Sequence, residues 1–194
     1  MKKIFAALLT VCCFAALLAG CGLSDPLVQN QNSNTETTTQ AAATKDEAPV
    51  VKDTDYKDDF NGLCDYFVAM GYTVANVNDK LDDKNVTEMD SSLIGAENGK
   101  KFVTSYNGKN ITIELYSYDT SKLNDTANQI IESVKKDGKF TILDLSPVTA
   151  YLSDSGKYLM VYSDASIDEN KKDDANYTHR EQVINDFKAF HSAS

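Results

Sequence analysis

The chain of 194 residues is poor in the groups from which common sites are built: two histidines, four cysteines, three prolines and no tryptophan. Two histidines and four cysteines leave little room for a structural zinc centre. Cationic side chains are also in short supply. Lys plus Arg number 19 against 29 Asp plus Glu, a formal charge of −10. A nucleic-acid-binding surface needs clustered Lys and Arg, so that class of partner is excluded. Arg180 is the single arginine. Nucleophile elbows, paired zinc-binding histidines and phosphate-binding glycine loops are missing as motifs, and no pattern points to a cofactor or a metal.

What is present begins with the N-terminus. Lys2 and Lys3 precede an uncharged run from Ile4 to Ala19, in which Thr10 is the one polar residue. Sixteen residues are too short to cross a bilayer comfortably, and the pattern is that of a secretory signal over residues 1–20. Its end, Leu18-Ala19-Gly20-Cys21, resembles the lipobox of bacterial lipoproteins. That resemblance implies cleavage before Cys21 and a diacylglycerol on its thiol. The partner so implied is the membrane, on its extracytoplasmic face. Cys12 and Cys13 would leave with the signal, and the mature 174 residues would carry a charge of −12 with Cys21 and Cys64 as the remaining thiols. With Cys21 lipidated, no intrachain disulfide is available.

Residues 21–55 read as the lipidated cysteine and a flexible polar tether. The stretch from Gly22 to Asp55 has no aromatic residue and is dense in Asn, Gln, Thr, Ser and Ala. It cannot bury enough apolar area to offset its chain entropy. As a coil it spans about 30–35 Å, enough to lift a domain off the headgroups. The Lys bias, the tether and the lipobox together resemble small surface lipoproteins of Gram-positive, Firmicutes-type bacteria.

Residues 56–194 read as one α+β domain, with a mostly antiparallel sheet of about five strands and helices packed on its aliphatic face. Phe60, Leu63, Cys64, Phe67 and Val68 mark one helix face, ended near Gly71, with Cys64 on the buried side. Val74–Asp90 is a short helix or a loop. Lys101–Tyr106 and Asn110–Tyr118 form a hairpin about Asn107-Gly108. A helix from Ser121 to Gly138 follows, with Leu123, Ala127, Ile130, Ile131 and Val134 as its stripe. Next come a strand from Phe140 to Leu145 and a second hairpin, Val148–Leu152 with Tyr158–Ser163. Thr178 and Glu181 predict a capping box for a last helix bearing Val183, Ile184, Phe187 and Phe190, with His191 frayed beyond it.

Three acidic clusters, around Asp53–Asp59, Asp79–Glu88 and Asp164–Asp174, match no calcium-loop register and read as solvated loops. Four Asn-x-Thr sequences, at Asn85, Asn110, Asn124 and Asn176, are chance glycosylation matches in a lipoprotein context. Strand alternation places Ile111, Ile113 and Leu115 on one sheet face. It predicts a second, tyrosine-rich face with Phe102, Tyr106, Tyr116, Tyr118, Tyr158 and Tyr162, a candidate contact surface for an envelope protein, a peptide or a glycan. The expected role is a non-enzymatic, lipid-anchored binding module, with a small envelope enzyme or an accessory to one as the alternative.

Overall fold

The computed structural model describes residues 50–73, 85–143 and 145–192. The signal, Cys21, most of the tether and the acidic residues Asp79, Asp82 and Asp83 lie outside that range. The fold is α+β. In chain order it contains helix α1 (Phe60–Ala69), strands β1 (Val86–Glu88), β2 (Asn98–Tyr106) and β3 (Lys109–Ser117), helix α2 (Asp125–Asp137), strands β4 (Lys139–Phe140), β5 (Val148–Thr149), β6 (Tyr151–Leu152) and β7 (Tyr158–Ser163), and helix α3 (Ala175–Ala189). Five strands form an antiparallel sheet in the order β1-β2-β3-β7-β6, while β4 and β5 pair separately.

Helix starts are set by side-chain caps. Asp59 accepts from Gly62 N at 2.7 Å, Asn124 from Ala127 N at 2.8 Å and Asp174 from Asn176 N at 2.9 Å, each satisfying an amide that the helix cannot. The predicted capping box at Thr178 is therefore corrected. Asp174 starts α3 one turn earlier, Thr178 Oγ1 donates back to the Asp174 carbonyl at 3.1 Å, and Glu181 turns to Arg180 instead of to Thr178. The central hairpin is as expected. Asn107 (φ 48°) and Gly108 (φ 70°) make the tight left-handed turn that suits two twisted strands. The predicted strand to Leu145 is shorter, ending at Phe140. The segment left open as helix or loop contains edge strand β1 in its described part.

Helices α1 and α3 pack on the aliphatic face as expected, and α2 covers the second face, which the sequence predicted to be an open contact surface. Phe102, Ile111, Ile113, Leu115, Tyr158, Met160 and Tyr162 pack with α1 and α3 through Leu63, Cys64, Phe67, Val183 and Phe187. On the other face Tyr116, Tyr118, Leu159 and Val161 pack with α2 through Ala127, Ile130, Ile131 and Val134.

The folded chain starts earlier than Tyr56. Val51 and Tyr56 pack on the first core, and Asp53 Oδ2 accepts from His191 N at 3.0 Å. His191 Nε2 lies 3.0 Å from the Tyr56 carbonyl, so this residue is held in place where the sequence predicts fraying. Val51, near the end of the polar stretch, supplies the apolar contact that the overall composition hides.

Candidate ligand cleft

The predicted tyrosine face does not exist as one surface. Register decides this. Ile113 lies opposite Phe102 on one side and Tyr162 on the other, whereas Tyr116 lies opposite Leu159. Directly opposed residues share a face. Phe102, Tyr158 and Tyr162 thus join the isoleucines, and Tyr116 and Tyr118 take the other side. All five are buried. Tyr106, 37% exposed at the hairpin end, stacks on His179 with ring centroids 3.8 Å apart. Cys21 lies outside the described residues.

The buried phenols differ in how they are satisfied. Tyr116 Oη donates to Glu114 at 3.0 Å, Tyr118 Oη to the Ile94 carbonyl at 3.4 Å and Tyr158 Oη to Asp58 at 3.0 Å. Tyr162 Oη is buried with no partner among the described residues. A buried hydroxyl left unpaired costs about 1–3 kcal/mol, so its retention calls for a reason.

Tyr162 lines a cleft of about 660 Å³ with Pro147, Thr149, Tyr151, Asp164, Glu169 and Arg180. The cleft exists because one extended run changes partner. Tyr151 and Leu152 pair with Met160 and Leu159. One residue earlier, Ala150 N donates to the Gly138 carbonyl at 3.0 Å, and Val148 and Thr149 pair with Phe140 and Lys139. Ladder pairing with β7 therefore stops at the Tyr151–Met160 pair. Antiparallel strands direct backbone groups to alternate sides. The Tyr158 carbonyl accepts from Ser153 N at 3.0 Å, so Met160 and Tyr162 also turn their N–H and C=O toward the β6 side. By the same alternation from Ala150, Thr149 turns its own toward β7. Continued ladder pairing would join Thr149 to Tyr162, and no such pair forms.

The rim is charged and internally paired. Arg180, whose side chain is 13% exposed, forks onto Glu169, with Nη2 donating to Oε2 at 3.0 Å, and Nε donates to Glu181 at 3.1 Å. The Tyr177 ring lies 4.7 Å from the guanidinium carbon. Hydrogen bonds from Arg180 hold the Glu169 carboxyl below its ordinary range, and Arg180 itself stays cationic. Asp164 accepts from Ser166 N at 2.8 Å and from Asn176 Nδ2 at 2.8 Å, which hold its carboxyl low despite partial burial. Burial pushes the phenols of Tyr151 and Tyr162 up, so both remain neutral donors. The cleft is lined by hydrogen-bond donors, acceptors and the half-buried Tyr151 ring.

Of these residues the sequence marks Tyr162 as a candidate contact, while Asp164 and Glu169 fall in the acidic stretch expected to be a solvated loop. A signal for Arg180 existed: a chain that otherwise uses lysine places its one arginine where a planar fork must meet carboxylates. A smaller cleft of about 300 Å³ is bounded by Asp58, Glu97, Asn98, Asp119 and Lys157. There Asp58 binds Lys157 and Tyr158; burial would raise its carboxyl, but these hydrogen bonds hold it low. Those contacts tie the start of α1 to the turn before β7 and leave no partner unmet.

Fold and cleft together define a small α+β domain with a charged cleft beside the end of β7. Against known protein families, curated proteins and solved structures, the chain finds no match.

Proposed function

We propose that this protein is a lipid-anchored, extracytoplasmic binding module of the cell envelope. Diacylglycerol on Cys21 holds it to the membrane, the polar segment after it acts as spacer, and the domain presents its cleft to an envelope ligand. The lipobox-like Leu18-Ala19-Gly20-Cys21 supports the anchor. The observation that carries the binding role is the cleft of about 660 Å³, a size usual for ligand sites, whose lining residue Tyr162 keeps a buried hydroxyl without a partner among the described residues. Two separable measurements test the proposal. Cys21→Ala should move the protein from the membrane fraction to the precursor or the medium, and mass spectrometry of the membrane form should find a diacylglyceryl thioether. Thr149→Trp, at an exposed position of the cleft wall, should abolish ligand capture without shifting the melting temperature. An unmodified Cys21 thiol in the membrane form of the parent protein would contradict the anchor.

A further inference from the structure

Two leucines stand out of the fold on the connection from β4 to β5: Leu143 is 79% and Leu145 67% exposed. We propose that they are a lipid-contacting pair, which enters the headgroup region of the membrane and sets the end of the domain that faces it; this rests on the Cys21 anchor in the reading above.

Three observations converge. First, the leucines are held outward by a built support. Ile142 packs on the second core, and Leu145 N donates to the Ile142 carbonyl at 2.9 Å. Second, Leu143 has φ 49°, in the left-handed region that Gly or Asn enters at low cost and leucine does not. Asparagine there would relieve both the backbone strain and the exposed apolar surface. A leucine kept at both costs indicates an apolar partner outside the domain. Third, the local charge suits an anionic surface. From Ser133 to Pro147 the sequence carries Lys135, Lys136 and Lys139 against Asp137 and Asp144, a balance of +1 in a chain of −10. All three lysines are exposed. Lysines beside inserted apolar side chains are drawn to anionic headgroups, while the acidic remainder of the chain is repelled by them.

The occupant is a membrane and not a second protein. Two side chains offer far less than the about 1,200 Å² that a stable protein interface needs. Two leucines are also too few to hold a free protein on a bilayer, where even one acyl chain binds marginally. A chain tethered through Cys21 meets the surface at an effective concentration of about 1 mM, at which a weak contact is populated.

The test uses the mature, unlipidated chain. Its thiols are Cys21 and the fully buried Cys64, so a maleimide lipid couples to Cys21 alone. The vesicles are equal parts phosphatidylcholine and phosphatidylglycerol. The chain has no tryptophan, so Leu145→Trp reports its own surroundings. Its emission should move to shorter wavelength on coupling and be quenched by brominated lipid. Val103→Trp, at another exposed apolar position on β2, should change in neither respect. Adding Leu143→Asn to Leu145→Trp should weaken docking by about tenfold, the loss of about one buried leucine, without lowering the melting temperature. Vesicles of phosphatidylcholine alone should give a smaller shift. No shift of Leu145→Trp on coupling would overturn the inference, as would equal shifts at both tryptophans, which mean unspecific adsorption. A shift that needs no vesicles and is lost on dilution would assign the leucines to a second copy and overturn it too. An equal shift on phosphatidylcholine alone would overturn the charge argument. Since the anchor is supplied chemically, these outcomes do not depend on natural lipidation, which the Cys21→Ala fractionation tests separately.

Discussion

Two tyrosines one turn of the ladder apart, Tyr158 and Tyr162, share a strand and a sheet face and differ in one respect that a single oxygen atom can report. Both rings are almost wholly buried, at 2% and 7% exposure. Tyr158 Oη donates to the Asp58 carboxylate at 3.0 Å, whereas Tyr162 Oη has no partner among the described residues. Phenylalanine keeps each ring and its packing and removes the hydroxyl alone. Tyr158→Phe should lose a hydrogen bond to a charged acceptor, at a cost of about 1.5–3 kcal/mol. Asp58 would keep Lys157, which places the loss toward the lower end of that range. Tyr162→Phe should move the other way, because it releases a desolvation penalty of about 1–3 kcal/mol. In thermal unfolding a domain of this size shifts by about 2–4 °C per kcal/mol, so the two variants should separate by several degrees on opposite sides of the parent. Denaturant titration, with an unchanged m-value, gives the same comparison in free energy. A gain in stability on Tyr162→Phe would be the trade expected where an unsatisfied group is kept for function. The reasoning is refuted if Tyr162→Phe destabilises the protein as Tyr158→Phe does, since the hydroxyl would then have a partner worth keeping.

Further outcomes follow from other parts of the fold. Cys64 is fully buried in the first core and burial pushes its thiol up to about 12, so thiol reagents should label it only as fast as the domain unfolds; rapid labelling of the native protein would contradict this placement. A chain begun at Tyr56 should lose stability by about 1–3 kcal/mol relative to one begun at Val50, because it removes the Asp53 acceptor of His191 N and the Val51 contact; equal urea midpoints would contradict it. Acid should destabilise the domain. Asp58 and Asp164 have carboxyls held low by their partners, so their contribution is present above the ordinary carboxylate range and is lost as pH falls through the folded values. His179 acts in the same direction: burial lowers it from 6.5, with Asp164 opposing, so the unfolded chain takes up its proton first and stability declines as pH drops through that value. Urea midpoints measured from about pH 7 down to about pH 4 should fall throughout; a midpoint that rises on acidification would contradict the sign.

Much of the fold was legible from local pattern. The stripe Phe60-Leu63-Cys64-Phe67 fixed the buried face of α1, and Asn107-Gly108 fixed the central turn, because each depends on neighbours in sequence. The tyrosine face failed on a long-range quantity, register. A two-residue turn at Asn107-Gly108 already places Phe102 opposite Ile113, so the first hairpin could have corrected itself. The pairing of β3 with β7, across a helix and three short strands, could not be read from alternation within either strand. The cleft was hidden for the same reason. Its making is the switch of partner at Ala150, and that switch depends on where Gly138 ends α2 and turns the chain back toward Ala150. The boundary near Tyr56 was misplaced because composition averages over a stretch, while docking needs only Val51 and Asp53.

The most direct test of the cleft is residue-resolved amide hydrogen exchange on the ligand-free mature chain. Met160 and Tyr151 pair across the closed part of the ladder, and Thr149 and Tyr162 face the opening one step further on. The Met160 and Tyr151 amides should exchange at rates near those of global unfolding, and the Thr149 and Tyr162 amides should exchange orders of magnitude faster. Slow exchange at Thr149 and Tyr162, equal to that of Met160, would mean that the ladder is closed there and that the cleft does not exist.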